Sequence, residues 1–187
     1  MIIGKMKKVS VVFFVIISIC IVVRLAYPVI SANYFNLIEY WSTKDGIEWS
    51  KNRKIQWSDF NYDEKNKDCQ FHAYFAFSTR YNIESPFLFR SKTMFIPKKS
   101  FICDTSNNNV LRAVQARFDL LEIYRRRMVK EVDSLEKNKS KLSNTSFENL
   151  NHKYYSLFED EYMKYSSEYD KIKSLQELEE RIILELK

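Results

Sequence analysis

Catalysis needs groups that can hold a proton, a metal or a nucleophile, and this chain is sparing with them. It has two histidines, His72 and His152, three cysteines, Cys20, Cys69 and Cys103, and two glycines, Gly4 and Gly46. There is no Cys-x-x-Cys and no Cys/His cluster, so a structural zinc knot is not expected. With so little glycine, a nucleophile elbow and a glycine-rich phosphate loop are both excluded. A lone histidine is more often polar decoration than a catalyst, and His72 and His152 read that way. The carboxylates that could act are Asp59, Asp119, Glu122 and Asp170. A two-carboxylate hydrolase would need a pair of them held a few ångströms apart across a cleft. Structural roles compete with that chemistry. Glu122 lies four residues before Arg126, the favourable order for a helical ion pair, and Asp119 is placed to hold Arg53 or a backbone donor.

The elements that must position these groups follow from periodicity. Residues 107–135 repeat apolar side chains at Leu111, Val114, Phe118, Leu121, Met128, Val132 and Leu135, a three-four spacing that predicts one helix. Within it, "RRR" at 125–127 spans several faces and is expected to be mostly solvated. The polar break "KNKSKLSNTS" leads to a second helix, with a seam through Phe147, Leu150, Tyr154, Leu157 or Phe158, Tyr165, Tyr169 and Ile172. An aromatic stripe at helical spacing is usually core, and the tyrosines beyond one stripe, Tyr155 and Tyr162 especially, leave some room for a partner surface. Ser174 with Glu177 resembles a capping box, which sets "LQELEERIILELK" apart as a short helix. Upstream, "CQFHAYFAFSTRYNI" (69–83) alternates as a strand does. "FLFRSKTMFIPKKSFIC" (87–103) offers one or two more strands, with Pro97 at an edge or bend.

The N-terminus carries the charge asymmetry. Formal net charge is +6, yet residues 1–32 hold Lys5, Lys7, Lys8 and Arg24 and no acid. The body is nearly balanced, so charge demands no phosphate-binding face and no nucleic acid is expected as a partner. "VSVVFFVIISICIVV" between basic flanks fits a signal peptide or a signal-anchor. Ile30 is bulky for a cleavage site, and "LAYPVI" can lengthen the run toward a full span. The favoured reading is an uncleaved inner-membrane anchor with the rest on the periplasmic, extracytoplasmic side. Cleavage would make the protein secreted. In that oxidising compartment Cys69 and Cys103 form an even pair, a possible disulfide. The expected fold class is α+β: an N-terminal membrane helix, a small antiparallel β-sheet, then a long C-terminal helical hairpin packed on it plus a short terminal helix. The expected divisions are 1–32 (anchor or signal peptide), 33–46 (connecting segment) and 47–187 (one domain).

"IEWSKNRKIQWSDF", then "FIPKKSFI", "LRAVQARFDLLEIYRRRM" and "YDKIKSL" occur in order over residues 46–187. Together they resemble the secreted bacterial zinc proteases grouped as domain of unknown function 922. Trp49, Ser50, Arg53, Trp57, Asp59 and Phe60 match that family's first segment. Phe95, Pro97, Lys99 and Ser100 match its second, with Phe101 where tryptophan is usual. Gln115, Phe118, Asp119, Glu122, Tyr124 and Arg126 match its metal-binding helix.

The departures from the family pattern decide what the resemblance implies. A zinc-protease helix sets two histidines four apart, with a glutamate between them as general base on the metal-bound water. Those positions are Ala113, Val114 and Arg117 here, and the later histidine falls on Leu175. None can ligate zinc, and Arg117 puts a cation where the metal would sit. The implication is a degenerate site with a filled former cleft, no cofactor and no metal, in a non-catalytic envelope protein. Such a pseudoenzyme acts as an interaction or scaffold module for an unknown protein partner. In it Arg117 would pair with Asp59 or Asp170. The alternatives are a metal-free hydrolase with an unrecognised site and a helical envelope assembly protein.

Overall fold

The computed structural model describes residues 2–62, 71–83, 87–138, 142–166 and 171–187. Cys69, Tyr169 and Asp170 lie outside the described residues. The chain divides into two compact units, Met1–Trp41 and Ser42–Lys187.

The first unit is helical. α1 (Ile2–Thr43) contains the apolar run, and its Val15–Thr43 stretch is long and apolar enough to cross a membrane. At 1.5 Å per residue its 42 residues reach about 63 Å, twice the hydrocarbon thickness of a bilayer. Residues 33–43, expected as a connecting segment, continue this helix. Past Pro28, which the helix accommodates, neither proline nor glycine interrupts the sequence before Gly46.

The second unit is α+β. Its strands are β1 (Ile47–Glu48), β2 (Asn61–Tyr62), β3 (Phe75–Asn82), β4 (Leu88–Phe95) and β5 (Phe101–Ile102). β1, β4 and β3 form an antiparallel sheet in that order, and β2 pairs with β5 in parallel. Pro97 opens a 3-10 turn between β4 and β5, the bend its lack of an N–H favours. Gly46 lets the chain pass close to β4, since a Cβ there would meet Met94 Cε at 2.7 Å and the Phe95 carbonyl at 3.2 Å.

The helices are α2 (Asn108–Lys137), α3 (Asn144–Ser166) and α4 (Lys171–Glu185). The Asn107 side chain caps α2 by accepting from the Asn109 N–H. α3 runs antiparallel to α2, with Arg117 paired to Glu159 at one end and Glu131 to Lys153 at the other. α4 returns in the direction of α2, with Arg112 on Glu179 and Arg127 on Glu185. The capping-box reading is corrected: α4 already runs at Lys171, and Ser174 is a fully buried residue of its first turns. Alternate side chains of β3 face the helices. Phe75 stacks on Phe118 at 5.5 Å between centroids, Phe77 meets Tyr155 edge-on, and Tyr81 stacks on Phe147 at 4.2 Å. Leu120, Leu121, Ile123 and Tyr124 are also buried, because the sheet covers one side of α2 and the two other helices cover the rest. Cys103 is disulfide-bonded and Cys20 is a free thiol.

Candidate functional site

The four positions that the resemblance singles out part company. Val114 turns into the core, 2 % exposed. Ala113 and Leu175 come together on the wall of a cavity of about 420 Å³ whose other walls include Val110, Tyr162, Tyr165 and Ile172. The expected filled cleft is therefore corrected. The methyl group of Ala113 leaves space that α4 does not enter, and the lining is mostly aliphatic and aromatic. Arg117, one turn further along α2, bonds through Nη2 to Glu159 Oε1 at 2.7 Å. Its guanidinium lies 5.0 Å from the Tyr162 ring centroid, 5.5 Å from Phe75 and 5.7 Å from Phe158. That is an aromatic cage with one carboxylate, a good seat for a delocalised cation. Burial is the main reason that the Tyr162 phenol is pushed above its usual pKa. The expected anion for Arg117 was Asp59 or Asp170. Asp59 is instead taken by Arg53 and by the Gln56 N–H, and Asp170 lies outside the described residues. Glu159 serves because α3, antiparallel to α2, carries it past Arg117.

The matched residues around this face form one hydrogen-bonded lashing. Residues 49–60 have almost no regular structure of their own and are tied to α2 by side chains. Trp49 donates its indole N–H to Asp119 Oδ1 at 2.6 Å, and Gln115 donates to the same oxygen at 2.7 Å. Gln115 in turn accepts from the Ile55 N–H at 2.8 Å, and Lys54 reaches Asp119 at 3.4 Å. Asp119 thus holds Trp49, Gln115 and Lys54 rather than Arg53. Trp57 packs on Phe60, and Phe60 on Phe95 beneath the sheet. The buried Ser100 hydroxyl accepts from the Tyr74 N–H and donates to the Ile96 carbonyl, which fixes the turn at Pro97.

Glu122 is the most enclosed carboxylate of the lashing, 3 % exposed. It accepts from Thr93 at 2.9 Å and pairs with Arg125 and Arg126. Burial pushes its pKa up, but those three donors outweigh burial and hold it below the ordinary 4.5. Arg126 also stacks over Trp49, 5.2 Å from the ring centroid. The solvated reading of "RRR" is corrected, since each arginine is ion-paired and partly covered. The Tyr124 hydroxyl donates to Glu161, which also takes Arg181. Burial, then the Glu161 bond, push the Tyr124 phenol up to about 12.

Sequence reasoning missed Glu159, Glu161, Thr93 and Arg181. One signal was available: the three-four seam of α3 runs 147, 150, 154, 158 and then meets Glu161, a charge on a core stripe. His72 stacks on Phe101 near the surface, and the exposed His152 lies 3.5 Å from Ser156. Neither histidine contacts a carboxylate among the described residues, and Asp59 and Asp119 are each committed to structural donors. The described residues contain no group of three or more His, Cys, Asp or Glu side chains able to hold a metal ion. The likeness to the zinc-protease family rests on the quoted residues alone, since in comparisons with known proteins the chain matches no family model, no curated protein and no solved structure.

Proposed function

We propose that this chain is a membrane-anchored, non-catalytic member of a zinc-protease-like lineage, acting as an interaction or scaffold module of the cell envelope. The observation that carries this reading is the fate of the degenerate site. Two presumptive ligand positions, Ala113 and Leu175, are aliphatic walls of one cavity, and the third holds a guanidinium already engaged by Glu159 and three rings. A divalent cation beside Arg117 would meet like charge and no lone-pair donor from these positions. Anchorage through α1 with the second unit on the extracytoplasmic, periplasmic side is part of the proposal. The disulfide at Cys103 supports it, because such bonds persist in oxidising compartments.

The test is metal content. The full chain, purified in detergent and dialysed against zinc and then buffer, is expected to retain no stoichiometric zinc by elemental analysis. Its thermal midpoint should be indifferent to chelator, because no metal–ligand free energy enters folding. About one tightly held zinc per chain, with a midpoint that falls on chelation, would overturn the reading.

A further inference from the structure

β3 is an edge strand, paired on one side only. The Tyr74 carbonyl accepts from the Ile96 N–H at 3.0 Å, and this fixes the alternation along the register. Backbone groups of Ala76, Ser78 and Arg80 turn toward β4, and those of Phe75, Phe77, Thr79 and Tyr81 turn outward. The Tyr155 hydroxyl takes the outward carbonyl of Phe75 at 3.4 Å. Among the described residues nothing takes the outward groups of Phe77, Thr79 and Tyr81, so three N–H and three C=O groups of this edge have no described partner. Proteins usually blunt such edges with proline, bulges or brevity. This strand is eight residues long, regular in register and free of proline.

A second observation concerns the face of β3 turned away from the helices. Arg80 sits directly across from Arg90 in the ladder, so this part of the face carries two guanidinium groups. The Arg80 Nε is buried and has no hydrogen-bond partner.

We propose that this edge docks an extended acidic segment of a partner protein, which joins β3 as a further strand and sets a carboxylate against Arg80. The inference rests on the reading of the domain as an interaction module. Residues 77, 79 and 81 supply the outward hydrogen bonds. In an antiparallel addition the partner residue opposite Arg80 then occupies a non-hydrogen-bonded position, where side chains approach most closely. An Asp or Glu there lies on the same side of the sheet as the guanidinium, close enough for charge complementarity with it. Backbone bonding supplies affinity and the arginine supplies sequence preference. A second copy of β3 would bring another Arg80 to this face instead of an acid.

The experiment uses the full chain in detergent micelles with two labelled hexapeptides, Glu-Val repeated and Lys-Val repeated. Fluorescence anisotropy should show the acidic peptide binding about tenfold or more tighter than the basic one. Hydrogen exchange should show new protection at the amides of Phe77, Thr79 and Tyr81. Thr79→Pro removes an outward N–H without removing a bond to β4, and should abolish binding. Arg80→Glu should reverse the charge preference. Absence of acidic-peptide binding, binding indifferent to Thr79→Pro, or binding without amide protection would each overturn the docking edge. A dimer in sedimentation velocity that Thr79→Pro dissociates would overturn it in favour of a second copy. Cleavage of the bound peptide, read by mass spectrometry, would overturn the non-catalytic reading and, with the amides protected, support the edge.

Discussion

Arg117→Ala tests the centre of the site most directly. The substitution removes the bond to Glu159, the contacts with three rings and the packing of the arginine stem. The ion pair joins side chains 26 % and 31 % exposed, so screening limits it to about 0.5 kcal/mol. The rings lie at 5.0, 5.5 and 5.7 Å, and only Tyr162 is well inside the range for a strong cation–π contact. The aromatic contacts together are worth roughly 1 kcal/mol, and lost stem packing adds a smaller amount. The expected loss is about 2 kcal/mol. It would be read from urea unfolding of the full chain in detergent by tryptophan fluorescence, since Trp49 and Trp57 lie in the folded unit. Arg117→Lys keeps the charge and loses the planar face, and should cost about half as much. A double-mutant cycle with Glu159→Gln should return a coupling of about 0.5 kcal/mol. A loss below about 0.5 kcal/mol for Arg117→Ala, the usual surface value, would refute the account of the arginine as a structural occupant of the site.

Glu122 gives a pH prediction. Its folded pKa is depressed, so its stabilisation is complete above the ordinary 4.5 and is lost as pH falls through the lower folded value. The difference in urea midpoint between wild type and Glu122→Gln should therefore be large at neutral pH and shrink on acidification, and a gap that widens would refute it. Tyr124 has the opposite sign. Its raised pKa means that its bond to Glu161 is fully present below the ordinary 10.0 and fails as pH rises toward about 12, so Tyr124→Phe should flatten alkaline destabilisation and remove one late phenolate in an ultraviolet titration. Alkylation of the full chain under denaturing, non-reducing conditions should label Cys20 and spare Cys103. Labelling of Cys103 before reduction would show that it is unbonded.

The α+β class, the helix at Asn108–Lys137, the strand core at Phe75–Asn82 and the bend at Pro97 were all legible, because each follows from local periodicity or from the geometry of one residue. The polar architecture was legible only in part. Glu122 with Arg126 could be read from a spacing of four along a helix. Trp49 and Lys54, which bond Asp119, lie 70 and 65 positions before it, and Glu159, which bonds Arg117, lies 42 positions after it and arrives only because α3 returns antiparallel to α2, none of which a local pattern encodes. The same limit hid the cavity between Ala113 and Leu175. Small and aliphatic residues say nothing of space until the helices that carry them are packed.

The lashing of residues 49–60 to α2 also bears on the order in which the protein is made. Trp49 and Ile55 leave the ribosome well before the side chains that hold them, Asp119 and Gln115, which come 70 and 60 residues later. At about 5–20 residues per second, some seconds pass between the first tryptophan and its acceptor. Through that interval a segment with two tryptophans and a phenylalanine has only the 3-10 turn at Trp57–Asp59 as regular structure of its own. The contacts that end the wait are among the most distant in the sequence, and closing them is slow for topological reasons. During biogenesis this stretch therefore stays without its bonding partners until α2 has been made. Substitutions at Asp119 or Gln115 should accordingly depress the yield of protein in the cell more than they depress the stability of the molecules that complete folding.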